Sequence, residues 1–498
     1  MRRIVILGGG TAGWMAAACL ARTLGTHERS ITLIESEEIG TVGVGEATIP
    51  LIETFHQILG INSIDVVRGS EATFKLGIEF VDWRRRGHRY LHPFGPIGAD
   101  LNGTGFLQHW LRHRAEGGSS DLLAYNLESQ AAMTGRFGMA RLRAPEDRQL
   151  HFAYHFDAAL YAAMLRTYSE RLGVVRIEGL VRDAVRDGET GGIRTLVLAD
   201  GREVAGDFFL DCSGFRGVLI EQALGAGYDD WSQWLPCNRA VAVQSQRLAQ
   251  LPPYTRATAR DAGWQWRIPL QHRTGNGHVF CDAFLSEDRA AEALLAGLDT
   301  PALAEPRMLR FVTGRRRKTW DHNVVALGLA GGFLEPLEST SIYMVQSALA
   351  KLITLFPRGD RVNSRAADLF NASMATEWER VRDFIIAHYK VTERDDTPFW
   401  AHCRNMPIPD SLAGRLALFE EEGLFVEQPQ DLFKEGSWAS VLIGQGMMPR
   451  RHHPIADVAP LPALEEQLAG MRTAIAARLA DLPTHAAYVD LCMGRVAA

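Results

Sequence analysis

No stretch of the 498 residues approaches the ~18 consecutive apolar positions of a membrane-spanning helix, so neither a span nor a membrane partner is expected. The opening apolar run at residues 4–7 is too short for a signal peptide and leads straight into three glycines. None of the six cysteines (Cys19, Cys212, Cys237, Cys281, Cys403, Cys492) forms a CxxC pair. That spacing speaks against a disulfide frame or a zinc site and for reduced thiols in a cytoplasmic protein. A large excess of one charge is also missing: the net charge of −6 disfavours nucleic acid or anionic lipid as a partner. There is no internal repeat and no low-complexity segment. His109 and His113 stand four apart on an expected helix but lack a third ligand or a HExxH glutamate, so no metal site is expected. The basic run Arg315-Arg316-Arg317-Lys318 has no interleaved aromatic residue and reads as a solvated strand edge or turn.

What remains is ordinary globular composition, 46% hydrophobic and 22% charged, enough for a sizeable core. Residues 2–7 read as a buried strand, 11–24 as an alanine-rich helix and 31–35 as a second strand, the opening of a dinucleotide-binding fold. Between the first strand and the helix, Gly8, Gly10 and Gly13 fit GxGxxG. The first glycine permits the tight turn, the second lets the backbone approach a pyrophosphate, and the third packs helix on strand. The amides at Thr11 and Ala12 open the helix, where unpaired N–H groups and the helix dipole favour phosphate. Glu35, ending the second strand, is placed to accept from a ribose hydroxyl.

This motif alone serves FAD and NAD equally. Two later glycine-bearing turns, at 211–216 (Asp-Cys-Ser-Gly-Phe-Arg) and 328–336 (Gly-Leu-Ala-Gly-Gly-Phe-Leu-Glu-Pro), favour FAD, with Leu329 and Gly332 among the contacts. They resemble segments of single-component FAD hydroxylases. A second GxGxxG for a nicotinamide is missing, so the chain is not expected to reduce its own flavin. The fold class is α/β, an FAD-binding dinucleotide fold of the aromatic-hydroxylase or halogenase type. A discontinuous FAD module is expected over 1–364, with substrate-facing insertions near 84–150 and 225–310. A mainly helical substrate region follows over 365–498, with loops at 393–410 and 449–462.

Several segments then point to one family. Residues 43–50 (Gly-Val-Gly-Glu-Ala-Thr-Ile-Pro) resemble the GxGEATxP segment of flavin-dependent tryptophan halogenases, placing Gly45, Glu46 and Ala47 at the cofactor. Residues 263–269 (Gly-Trp-Gln-Trp-Arg-Ile-Pro) match the family's WxWxIP. Residues 334–343 (Leu-Glu-Pro-Leu-Glu-Ser-Thr-Ser-Ile-Tyr) are close to LEPLESTGIY, and 74–77 (Phe-Lys-Leu-Gly) to the strand of the family's lysine. Residues 382–390 and 392–400 are also family-like, so the matches run in order along most of the chain.

The resemblance implies a two-component oxidoreductase that takes FADH2 from a separate flavin reductase. Oxygen and a halide, bromide or chloride, would yield hypohalous acid from the flavin hydroperoxide. The acid would then travel to Lys75, which presents the halogen to a small aromatic substrate. By period-two alternation, Lys75 lies opposite Phe74, Leu76, Ile78 and Phe80, and the residues alone would make it an exposed strand lysine. The resemblance makes it catalytic together with Glu338. Helical apolar spacing from Ile342 to Phe356 predicts a helix over 340–356, whose first amides, at Thr340 and Ser341, suit an anion. Halide binding there is also the family's arrangement. Trp264 and Trp266 read as core aromatics and, by resemblance, line the space between flavin and substrate. His92 and Phe94 match a pair that packs on the substrate ring, and Phe433 falls in the substrate region.

Two departures modify the expectation. Ser341 stands where many relatives have glycine, and its Cβ changes backbone freedom beside the halide, pointing toward bromide. The stretch that grips a free amino acid in relatives is here Glu421-Glu422, Gln428 and Leu432-Phe433. A carboxylate is poorly matched to Glu421 and Glu422, which favours an indole-like arene over free tryptophan. An FAD aromatic monooxygenase and a non-catalytic flavin-binding protein are the rival readings. The oligomeric state is left open, a homodimer included.

Overall fold

The apolar run at residues 4–7 becomes the strand Arg3–Leu7, buried from Ile4 onward at the centre of a parallel sheet. In the computed structural model, residues 1–39, 45–101, 103–139 and 149–495 are described. Gly43 and Val44 of the expected cofactor motif lie outside them. Two compact units form, each from three chain segments: 1–72, 156–238 and 310–379 in the first, and 73–155, 239–309 and 380–498 in the second.

The first unit is built on a six-stranded sheet ordered Trp320–Asp321, Val324–Ala326, Phe208–Asp211, Arg3–Leu7, Ser30–Glu35, Val175–Glu178. Every pairing is parallel except the edge strand Trp320–Asp321. Parallel strands with both faces covered need near-continuous apolar runs, and residues 4–7 and 208–210 supply them. The helix Thr11–Leu24 forms where expected, buried over Gly13 to Ala21 because small residues there admit close approach. Ahead of the 328–336 turn the chain forms the short strand Val324–Ala326 and then a 3-10 segment at Gly328–Ala330. The basic run lies partly in the strand Gly314–Arg316 and is less solvated than expected. Arg315 pairs with Asp229 and Glu379, Arg316 with Glu221, Arg317 with Asp229 and Lys318 with Asp321. Local carboxylates neutralise the run, and their pairing lets Arg316 be buried.

The second unit carries a seven-stranded sheet ordered Arg307–Arg310, Arg239–Gln246, Arg273–Phe280, Gly263–Pro269, Thr255–Arg260, Gly77–Val81, Arg89–Pro93. Most of the chain after residue 364 is helical, as expected. The expected loop at 393–410, however, contains the helix Pro398–Asn405. Thr397 caps it by accepting from the Trp400 N–H, Pro398 opens it, and Phe399, Trp400 and Cys403 are buried along one face. An N-cap threonine before proline is a helix-start signal.

The alternation at 74–80 also resolves differently from a single strand. The chain breaks at Leu76, leaving Thr73–Lys75 paired with Ala153–Asp157, and Gly77–Val81 paired with Thr255–Arg260 and Arg89–Pro93. Leu76 holds the break in place. Its N–H donates to the Pro253 carbonyl at 2.7 Å and its own carbonyl accepts from the Phe94 N–H at 2.8 Å. Gly77 is required there, since a Cβ would stand 2.5 Å from the His92 oxygen and 2.9 Å from the Pro93 Cα. With both faces covered, every residue from Thr73 to Phe80 is buried, and Lys75 is 0% exposed. The exposed strand lysine that periodicity alone suggested does not occur.

Candidate active site

The glycine turn of the first unit has the steric logic its spacing implies. A Cβ on Gly8 would lie 2.3 Å from the Cys212 oxygen, and one on Gly13 only 1.8 Å from the Gly8 oxygen. Gly10, by contrast, faces open space, with nothing within 4 Å of where a Cβ would be. Among the described residues, no acceptor meets the N–H groups of Thr11, Ala12 or Gly13, and the helix has no acidic residue in its first turn. A bare, uncrowded helix N-terminus beside an open glycine fits a pyrophosphate. Glu35 leans over this turn: its Oε2 lies 1.4 Å from a notional Gly9 Cβ, while Oε1 accepts from Arg176 Nε at 2.5 Å. One carboxylate oxygen is therefore held by an arginine and the other is aimed at the turn.

The flanking segments are rigidly supported. Asp211 ends its strand and accepts from the N–H groups of Ser213 (3.0 Å), Leu219 (2.7 Å) and Ile220 (2.8 Å), fixing the 211–216 turn. Leu329 sits in the 3-10 turn, and Gly332 packs against Gly314, where a Cβ would lie 2.7 Å from the carbonyl oxygen. Gly45, Glu46 and Ala47 form a short strand. Burial pushes the Glu46 carboxyl up to about 7.

Glu338 ends the 3-10 turn Pro336–Glu338 and is buried. Ser339 follows at φ 58°, a left-handed conformation uncommon for a residue with a Cβ. It redirects the chain into the helix Ser341–Leu355, with Thr340 as N-cap. Among the described residues, neither the Thr340 nor the Ser341 N–H has an acceptor. Thr340 is buried and Ser341 exposed, so the two amides open from the protein interior outward. Tyr343, Ser347 and Lys351, spaced four apart on this helix, all bond the buried carboxylate of Glu377, which fixes the helix's rotation.

The remaining predicted residues belong to the second unit. Lys75 Nζ lies 5.2 Å from the centroid of the Phe94 ring. The Phe94 loop is itself pinned, because Asn126 Nδ2 donates to the Phe94 and Pro96 carbonyls at 2.9 and 3.1 Å. Trp264 and Trp266, two apart on the strand Gly263–Pro269, share a face with ring centroids 6.1 Å apart. Trp264 meets Trp83 at 6.4 Å, Trp83 meets His388 at 6.1 Å, and His388 meets Phe384 at 5.0 Å. Phe384 stacks on Phe433 at 3.9 Å and lies 5.6 Å from His92, which is 6.0 Å from Phe433. An unbroken aromatic series thus joins the WxW pair to the His92 and Phe433 pair.

The named residues thus divide by unit. Gly8, Gly10, Thr11, Ala12, Gly13, Glu35, Gly45, Glu46, Ala47, Leu329, Gly332, Glu338, Thr340 and Ser341 are in the first, and Lys75, His92, Phe94, Trp264, Trp266 and Phe433 in the second. Sequence reading missed Phe384, Trp83 and Asn126. Phe384 and His388 had a signal, four apart within a family-like stretch; Asn126 had none, because its targets are backbone carbonyls. His109 is buried with Nε2 on the Leu101 carbonyl, and among the described residues no cluster of His, Cys, Asp or Glu could hold a metal ion. Among the same residues, no helix is long and apolar enough to cross a membrane.

Known proteins are similar to this chain over nearly its whole length. The tryptophan halogenase family model matches residues 3–461. A tryptophan 6-halogenase of Streptomyces toxytricini is 33% identical over 98% of this chain and 97% of its own length. A 7-chloro-L-tryptophan 6-halogenase of a Kutzneria species is 35% identical over 99% of each. Among solved structures, a flavin-dependent halogenase of Xanthomonas campestris superposes with a TM-score of 0.95 at 47% identity, covering 98% of both chains.

Proposed function

Because the chain belongs to the tryptophan halogenase family and is a flavin-dependent halogenase, we propose that it transfers an electrophilic halogen from Lys75 to an indole-like arene other than free tryptophan, with bromide preferred. Reduced FAD, supplied by a separate reductase, brings the oxygen activation that converts halide to hypohalous acid. The residues of this chain do the rest. The glycine turn and the amides of Thr11 to Gly13 would hold the pyrophosphate, and Glu35 the ribose. The Thr340 and Ser341 N–H groups would hold the halide. Glu338 is the carboxylate that the family pairs with the lysine. The observation that carries the reading is Lys75 itself: a fully buried amine beside the Phe94 ring, where water is excluded. A compact donor suits capture of hypohalous acid, and a dry site limits loss of the oxidant to side reactions.

The substrate proposal rests on what occupies the amino-acid-binding stretch. Glu422 pairs with Arg451 at 3.5 Å, and Gln428 accepts from Arg380, so both side chains are already engaged. Phe433 offers a ring face instead, stacked on Phe384. The Streptomyces toxytricini and Kutzneria enzymes, both named for tryptophan, are 33 and 35% identical, whereas the Xanthomonas halogenase, at 47%, is not named for a substrate. With FAD, NADH, a flavin reductase and halide, indole is expected to be halogenated about tenfold faster than free tryptophan, since an ungripped carboxylate gains no charge-assisted bonds. Mass spectrometry of competing substrates reads this directly, and faster turnover of tryptophan would sink the substrate proposal.

The halide preference rests on Ser341. Its Cβ restrains the backbone that presents the two amides, and bromide sheds its hydration more readily than chloride. With both halides at equal concentration, brominated product is expected to dominate. Ser341→Gly should move the ratio toward chloride; an unchanged ratio would remove the serine from the account.

A further inference from the structure

The strand that carries Lys75 is paired along one edge. Thr73 and Lys75 register with His155 and Ala153 of Ala153–Asp157. Peptide groups alternate in direction along a strand, so the Phe74 N–H points to the opposite edge. There it donates to His485 Nε2 at 3.0 Å. The other ring nitrogen of His485, Nδ1, lies 2.8 Å from the Leu251 carbonyl oxygen. A carbonyl can only accept, so the proton resides on Nδ1 and Nε2 presents a lone pair to Phe74. The neutral imidazole in a single tautomer is the form that satisfies both partners.

His485 is fully buried at the start of the helix His485–Cys492, which Thr484 caps. Burial holds its pKa down to about 4, so the neutral ring persists at working pH. The helix is tied in turn to the segment before residue 140. The His485 N–H donates to the Gly135 carbonyl at 2.8 Å, the Phe137 N–H to the Pro483 carbonyl at 3.2 Å, and Phe137 stacks on Phe74 at 4.1 Å. The edge of a three-residue strand, next to the break at Leu76, is thereby closed by a side chain from near the end of the chain.

We infer that His485 is a positioning residue for halogen transfer: through the Phe74 amide it holds the backbone from which Lys75 projects. The inference rests on Lys75 being the halogen-transfer group. A neutral acceptor is what the position requires, so the outcome separates acceptor chemistry from mere bulk. His485→Gln keeps an acceptor within reach of Phe74, whereas His485→Met fills space without one.

The test compares both variants with wild type and Lys75→Ala in the complete reductase-coupled system. Two products are measured together: halogenated indole, and hypohalous acid captured by an external amine. Hydrogen exchange is followed in peptides covering residues 73–76. His485→Met is expected to lose about tenfold or more of the arene product while hypohalous acid still reaches the trap, and to exchange faster at 73–76. His485→Gln is expected to recover most of the product and the protection. Equal loss from both variants, a parallel fall in trapped hypohalous acid, or unchanged exchange would overturn the assignment of His485. Wild-type enzyme that yields trapped hypohalous acid but no halogenated arene would overturn the lysine reading itself.

Discussion

Lys75→Ala is expected to cut halogenation of the arene by at least about a hundredfold, the scale on which a positioned proton-transferring or donor group contributes to catalysis. Oxidation of reduced FAD in the presence of halide should continue, so the lost product should reappear as hypohalous acid in an external trap. The expectation follows from placement. The glycine turn and the Thr340 and Ser341 amides belong to the first unit, and Lys75 to the second. The folded state should survive the change, because truncating a side chain that is 0% exposed also removes the cost of desolvating its polar head. Thermal unfolding and FAD titration check that point beside the product assay. Arene halogenation within tenfold of wild type, in a variant that binds FAD normally, would exclude Lys75 as the transfer group. Hydroxylated product formed without halide would instead favour the monooxygenase reading.

Gly10→Glu is expected to weaken FAD binding by roughly a hundredfold or more while leaving the apoprotein's unfolding temperature nearly unchanged. Gly8 and Gly13 could not provide so clean a test. Their Cβ positions fall 2.3 and 1.8 Å from backbone oxygens, so substitution there damages the turn itself. At Gly10 nothing lies within 4 Å, and its φ of −75° is accessible to any residue. A glutamate at this position is therefore tolerated sterically but sets a carboxylate against the bare amides of Thr11 to Gly13. It would satisfy those amides internally and repel a pyrophosphate, the interaction a helix N-terminus otherwise favours. Fluorescence titration with FAD and a melting curve without it separate the two effects. Unaltered affinity would mean that the phosphates do not approach Gly10.

How much of this was legible before the structure depends on how local each signal is. The helix at 11–24 and the strands around it were readable to within a residue, because small-residue packing and the glycine spacing act over a single turn. The helix after Glu338 was readable for the same reason: Ile342, Val345, Leu349 and Leu352 recur at helical spacing, and all four are buried. The helix Pro398–Asn405 lies within a stretch whose composition reads as loop although Thr397-Pro398 announces it, since that composition outweighs a two-residue cap signal.

Lys75 marks the boundary. Its sequence determined the chemistry of the side chain, its family resemblance and its alternation with Phe74 and Leu76. Alternation is a property of one strand; it says which residues share a face and nothing about what covers the other face. What surrounds the strand comes from partners remote in sequence: Ala153–Asp157 along its edge, the Pro253 carbonyl at Leu76, and the Phe94 ring, on a loop pinned by Asn126, beside the lysine. Tertiary structure alone therefore decided that the lysine is buried, that its strand ends at Leu76, and that its free edge is closed by His485. These are pairings of backbone groups, which every residue carries alike, so no residue type in the sequence could announce them.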